Sequence, residues 1–263
     1  MDAERRRREE LAAFLRDRRA RADRTALGLP DAPRGRLQGL RREEVATLAG
    51  LSVTWYTWLE QAREINPSRQ VLEALGRLFG LRPVEMTYLL TLGGHGEISA
   101  PAAATVRAPE RLRRLLESFA FPAFLLAADW TIIGWNIAYA HLYPRIESLD
   151  AEDRNLLWLL FTDQELRRLL PDWEQQSRRF VGEFRADARR WISAPREDGI
   201  VARVSAASPE FARIWQERDV EGFVSRERSF QHPLAGLMTY EQHGVAPSEF
   251  PDLELVLYVP ITA

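Results

Sequence analysis

The sequence predicts a multi-domain chain, an all-α five-helix helix-turn-helix domain followed by an α+β domain built on an antiparallel sheet. Three observations carry that expectation. Residues 40–63, LRREEVATLAGLSVTWYTWLEQAR, have the spacing of two short helices around a glycine turn. Residues 93–109 combine glycine, proline and alanine without periodicity, which marks a linker. Beyond Pro109 the texture changes, with 20 of the 26 aromatic residues of the chain. The boundaries read from this are 1–93 for the helical domain, 94–108 for the linker and 109–263 for the α+β domain.

Each element follows from local pattern. AERRRREELAAFLRDRRARA at 3–22 is an amphipathic helix with Leu11, Phe14 and Leu15 facing a core and the arginines facing out. Most of Arg5 to Arg8 belong to a solvated face, and Arg18, Arg19 and Arg21 are better placed for phosphate. TALGLPDAPRGRLQG at 25–39 is a long loop whose Arg34 and Arg36 reach toward a DNA backbone. Glu43, Glu44, Val45, Ala46 and Leu48 fit the first short helix, with Arg41 and Arg42 at its N-terminus, where guanidinium groups and free amides can meet a phosphate. Gly50 supplies the positive-φ turn and Ser52 caps the second helix. On that helix Tyr56 and Leu59 pack inward against Val45 and Ala46, leaving Val53, Thr54, Thr57 and Trp58 outward. An outward stripe of short polar and aromatic side chains at a helix start suits base-edge reading in a major groove. A glycine-linked helix pair also occurs in helical cores that never meet DNA. SRQVLEALGRLFGL from Ser68 and RPVEMTYLLTLGG from Arg82 complete the five helices.

In the second domain PERLRRLLESF is a helix, AFLLAADWTIIGWN forms two short strands around an Ala-Asp turn, and residues 136–143 are helical. Four more helices follow at RNLLWLLF, TDQELRRLL, DWEQQSRRFVGEFRADARRWI and SPEFARIWQER, with Thr162 and Glu165 at capping-box spacing and Ser208-Pro209-Glu210 as a start signal. GFVSRERSFQH, LAGLMTYEQHGV and LELVLYVPI close the chain as a three-stranded antiparallel meander. Helices on one face of a sheet can enclose an apolar pocket, and Trp135, Trp158, Phe161, Phe180, Phe184, Phe211, Trp215 and Phe230 are its candidate lining. Any one of them is also ordinary material for a plain core.

Charge divides along the same boundary. Residues 1–93 hold 17 Arg against 13 Asp and Glu, a net of +4, whereas 94–263 hold 19 against 25, a net of -6. A basic third joined to an acidic remainder fits a chain in which one domain meets phosphate. Cysteine is absent, which excludes disulfides, thiolate catalysis and cysteine-ligated zinc. The polar, arginine-rich start gives no signal peptide, and no apolar run approaches the roughly 20 residues of a membrane span, so a cytoplasmic protein with no membrane partner is expected. The four histidines, His95, His141, His232 and His243, lack metal-site spacing, and no HExxH, GxSxG or phosphate loop with a following lysine is present. No catalytic residue, no metal site and no required cofactor is expected, and the chain is read as a non-enzyme.

Residues 4–93 resemble the helix-turn-helix of the XRE, or Cro/C1-like, repressor class. A more specific resemblance spans nearly the whole chain. GLRREEVATLAGLSVTWYTWLEQAR, SRQVLEALGRLFGL, GWN, DRNLLWLLF, SPEFARIW and FQHPLAGLMTYE, in that order, resemble the MmyB-like transcription regulators. The resemblance implies a homodimer on a palindromic double-stranded DNA operator, with a PAS-like second domain able to hold a fatty-acid-like ligand. It places DNA reading on Arg42, Val53, Thr54 and Trp58, with Ser52 and Thr57 near the backbone. The sequence departs from the family pattern at Thr54, usually acidic, at Trp55, usually Tyr, at Trp58, usually Arg, and at Ala62, usually Gly. In the second domain Asn136, Arg154, Asn155 and His232 resemble family signature positions, and a ligand carboxylate would take Arg154 or Arg178 with Asn136. Arg154 and Asn155 serve equally well as an internal salt bridge and helix cap. Two alternatives stand beside ligand sensing: a second domain that only dimerises or binds a protein partner, and a lipid-processing enzyme carrying a DNA-binding domain.

Overall fold

The computed structural model describes residues 2–30, 39–96, 107–187, 189–192, 199–223 and 226–261. The chain divides into two compact units, Met1–Ser99 with Arg185–Pro195, and Ala100–Phe184 with Arg196–Ala263.

The first unit contains the five expected helices, α1 (Asp2–Arg21), α2 (Arg42–Ala49), α3 (Val53–Glu60), α4 (Arg69–Leu78) and α5 (Pro83–Leu92). Its core is made by Leu11, Phe14 and Leu15 from α1, Val45 and Ala46 from α2, Tyr56 and Leu59 from α3, and Leu72, Leu75, Tyr88 and Leu89 from α4 and α5, all buried. Phe14 and Tyr88 meet edge to face at 5.3 Å, a favoured aromatic geometry. Gly50 ends α2 at φ 69°, as the turn requires. The outward placement of the α1 arginines needs correction. Arg18 sits 3.1 Å from the buried Glu85 carboxylate and Arg19 sits 2.5 Å from that of Glu60. Both cations are turned inward because an unpaired buried carboxylate would be prohibitively costly.

In the second unit α6 (Glu110–Glu117) precedes β1 (Ala123–Leu126) and β2 (Ile132–Trp135), joined at the Ala-Asp turn by Asp129, whose carboxylate accepts from the Thr131 amide and hydroxyl at 3.0 Å. Then come α7 (Ile137–Leu142), a 3-10 turn at Pro144–Glu147, α8 (Leu156–Thr162), α9 (Gln164–Leu169) and α10 (Trp173–Ala186). They are followed by α11 (Arg189–Ile192), α12 (Ile200–Ala207) and α13 (Pro209–Gln216). The meander is β3 (Arg226–His232), β4 (Gly236–Val245) and β5 (Glu254–Pro260). Among the described residues the strands form one antiparallel sheet of order β2-β1-β5-β4-β3.

Strand alternation divides the sheet's two faces. On one face Ala123, Leu125 and Leu255 pack with Leu112 and Leu116 of α6. On the other, Phe124, Tyr258, Phe230 and Tyr240 form a chain of aromatic contacts with centroids 5.1–6.0 Å apart. The Thr162 cap is corrected: α8 runs through Thr162, and Asp163 caps α9 by accepting from the Leu166 amide at 2.7 Å. Ser208 caps α13 as expected, accepting from the Phe211 amide at 3.1 Å.

Candidate DNA-reading surface and ligand cavity

The second helix of the helix-turn-helix is held from behind. Ser52 Oγ accepts from the Trp55 amide at 3.1 Å, while Tyr56, Leu59 and Glu60 are buried. That fixes the opposite side outward: Val53 and Trp58 are 40% and 36% exposed, Thr54 is exposed and Thr57 half-buried. The Arg63 guanidinium lies 5.7 Å from the centre of the Trp58 ring. Sequence reasoning passed over Arg63, although it closes the LEQAR block and puts a cation beside the outward stripe. The two-residue step from Gln61, which accepts from Arg63 Nε at 3.0 Å, orients it.

Glu60 joins the helices. Its carboxylate accepts from Arg19 Nε at 2.5 Å, Arg19 Nη2 at 3.0 Å and Arg42 Nε at 2.6 Å. Burial pushes the Glu60 carboxyl up, but the hydrogen bonds from Arg19 and Arg42 outweigh it and hold it below the usual carboxylate range. Arg42 is therefore tethered at the start of α2 with 41% of its side chain still exposed. Arg41 beside it is exposed, and its amide donates to Glu44 Oε2 at 2.7 Å. Arg34 and Arg36 lie outside the described residues.

In the second unit a cavity of about 20 Å³ lies between the inner sheet face and the helices, lined among others by Tyr139, Leu142, Leu160, Leu169, Phe230 and Tyr258. Its polar lining comes from Gln176 and Arg228, 9% and 2% exposed. A space of that size admits about one water molecule, so a larger guest enters only if the leucines and aromatic rings around it move. Among the described residues no cluster of His, Cys, Asp and Glu could hold a metal ion.

Two comparisons bear on this arrangement. Residues 108–263 match the family described as the MmyB-like transcription regulator ligand binding domain. The chain belongs to that family. Residues 10–89 match a helix-turn-helix domain, while none of the curated proteins matches the chain. The protein is thus a transcription regulator with a helix-turn-helix DNA-binding domain and an MmyB-like ligand-binding domain. Both matched families are regulatory.

The residues that sequence reasoning assigned to ligand binding in this MmyB-like regulator are mostly spent on the fold: of the eight candidate lining aromatics Phe180 and Phe230 line the cavity, and Trp135, Trp158, Phe161, Phe184, Phe211 and Trp215 do not, nor do Asn136, Arg154 and Arg178. Asn136 is saturated: Oδ1 accepts from the Ala123 and Tyr139 amides at 3.1 and 2.9 Å, and Nδ2 donates to the Phe119 and Phe121 carbonyls at 3.0 and 2.8 Å. It ties β1 to the start of α7. Arg154 lies 5.2 Å from the Trp135 ring centre, Arg178 pairs with Glu217, and Arg203 covers Trp158 at 3.9 Å. Phe161 packs edge-on against Trp173 and Phe211, and Phe184 contacts Trp130 at 5.2 Å and Trp215 at 6.3 Å. Asn155 caps α8, accepting from the Leu157 and Trp158 amides at 3.0 and 3.2 Å. The cavity's polar wall gave no sequence signal, because Arg228 stands between Glu227 and Ser229 in a largely polar strand and looks like a solvated position.

Proposed function

We propose that this regulator binds palindromic operator DNA as a homodimer, reading bases with the outward side of α3, and that a small apolar, fatty-acid-like ligand in the second domain changes operator affinity. One observation carries the DNA reading: Val53, Thr54 and Trp58 are exposed on a helix whose opposite side is anchored in the core. Arg41 and the tethered Arg42 supply phosphate contacts, and Ser52 and Thr57 lie close to the backbone. Two copies related by a two-fold axis would read half-sites about one helical turn apart, so a change in the spacing of the reading helices alters affinity.

The test is selection from random duplex DNA with the full chain, followed by binding of variants. A palindromic site should emerge. Thr54→Ala and Trp58→Ala should shift the base preference, whereas Arg42→Ala should weaken binding to most sequences and lower the salt dependence by about one phosphate contact. Equal losses on selected and random DNA for all three variants would remove α3 as the reading element.

A second reading, in which the second domain only dimerises or binds a protein partner, is favoured by the small size of the cavity. It predicts operator affinity indifferent to acyl lipids and no small molecule in native mass spectra of the purified protein.

A further inference from the structure

The backbone that follows α3 ties Arg63 to Trp58. Ala62 takes the left-handed conformation at φ 56°, its amide donates to the Leu59 carbonyl at 3.1 Å, and the Arg63 amide donates to the Trp58 carbonyl at 3.1 Å. Such a pair of bonds ends a helix with the residue after the turn folded back on the residue five positions before it. Here the exposed Arg63 lies over the exposed Trp58 ring, its guanidinium carbon 5.7 Å from the ring centre. Nε donates to Gln61 Oε1 at 3.0 Å, which leaves Nη1 and Nη2 without a partner among the described residues. Arg19 and Arg42, also beside α3, give their guanidinium groups to Glu60. The outward stripe itself lacks what two-bond base reading needs: Val53, Thr54, Thr57 and Trp58 offer methyl groups, hydroxyls and an indole, with no guanidinium, amide or carboxylate among them.

We infer that Trp58 and Arg63 form one reading unit for a guanine beside a thymine, the indole packed on the thymine methyl and the two terminal nitrogens of Arg63 donating to guanine O6 and N7. This rests on operator reading by α3 and names the bases that one part of it selects. Bases on one strand follow at about 3.4 Å, so a cation 5.7 Å from the ring centre reaches the base pair next to the one the ring touches. Gln61 holds one edge of the guanidinium and the ring supports it, so the fork is oriented before DNA arrives and loses little freedom on binding. Gln61 is thus a positioning residue.

The experiment uses the full chain and the site it selects from random duplexes. Each guanine is replaced in turn by 7-deazaguanine, which lacks N7, and each thymine by uracil, which lacks the methyl group. One guanine in each half-site should lose about tenfold in affinity without N7, the worth of a hydrogen bond from a charged donor. A thymine next to it should lose about fourfold without its methyl. Arg63→Ala should abolish the N7 effect and keep the methyl effect, whereas Trp58→Ala should reduce both. Arg63→Lys should keep the salt dependence of the unaltered chain and lose most of the N7 effect, since lysine retains the charge without the fork. Gln61→Ala should lessen the N7 effect alone. The base replacements on the unaltered chain need no variant to fold. Indifference of every guanine to loss of N7, or an N7 effect that survives Arg63→Ala, overturns the role of Arg63. So does an Arg63→Ala loss equal on every sequence with a shallower salt dependence, which marks a phosphate contact. No methyl effect at the neighbouring thymine overturns the role of the indole. Each of these leaves base reading by α3 standing where Thr54→Ala still shifts the preference. Failure to select any site, or equal losses on selected and random DNA for Thr54→Ala and Trp58→Ala, overturns both.

Discussion

Ala62 holds a backbone angle of φ 56°, in the left-handed region where a Cβ crowds the following carbonyl. The family resemblance places glycine there, and the structure supplies the reason. Ala62→Gly should raise stability by about 0.5–1 kcal/mol, the relief of strain exceeding the extra freedom of glycine in the unfolded chain, and thermal melting checks it. Asn136 offers the opposite case. Replacing it by Ala removes four hydrogen bonds and leaves buried amides and carbonyls unpaired, so a loss on the order of 3 kcal/mol is expected in urea denaturation, with no selective effect on ligand affinity once folded. Single residues whose role is local were legible in the sequence: Gly50, Ser52 and Ser208 each serve the helix end beside them. Residues whose partners are distant in sequence were not. Nothing near Arg19 or Arg42 announces Glu60, and nothing near Arg228 announces Gln176 on another element.

At the scale of elements, α3 owes its position to one carboxylate. Glu60 is 0% exposed at its side chain and links α3 to Arg19 of α1 and Arg42 of α2. Because its folded pKa lies below the unfolded value of 4.5, the stability it contributes is complete above that pH and is lost as the pH falls through the lower folded value. Melting temperature should therefore drop as the pH falls below about 4.5, and Glu60→Gln should flatten that acid-dependent part of the profile. The same variant should cost about 3 kcal/mol at pH 7, since it leaves the largely buried Arg19 guanidinium without its counter-charge. A melting profile for Glu60→Gln parallel to that of the unaltered chain would contradict this. The element α12 escaped sequence reading because Ile200, Val201 and Val204 give no decisive period. Its helix is settled by packing on α8 and α13. The α8 to α9 junction was misjudged by one residue for a related reason, two adjacent side chains, Thr162 and Asp163, both being able to cap.

At the scale of the molecule, the order of blocks along the chain was enough to read both domains, since charge, aromatic content and linker composition all change at the same place. What composition could not reveal is that the first unit is discontinuous, taking in Arg185–Pro195. Within that unit Glu10 Oε1 accepts from Tyr88 Oη at 3.0 Å and from Arg185 Nη1 at 2.5 Å, and α11 packs on α1. Tyr88 and Arg185 are both fully buried in the chain. A fragment spanning residues 1–99 should accordingly melt below the same unit in the full chain, and Glu10→Gln should lower the full chain while changing the fragment less.

That discontinuity has a consequence for synthesis. The helices of the first unit leave the ribosome early, yet the pairing of Glu10 waits for a segment translated nearly a hundred residues later, about 5–20 s at ordinary elongation rates. A nascent chain would carry α2 and α3 before the unit that steadies them is complete, so the helix-turn-helix domain matures only after the second domain has begun to emerge.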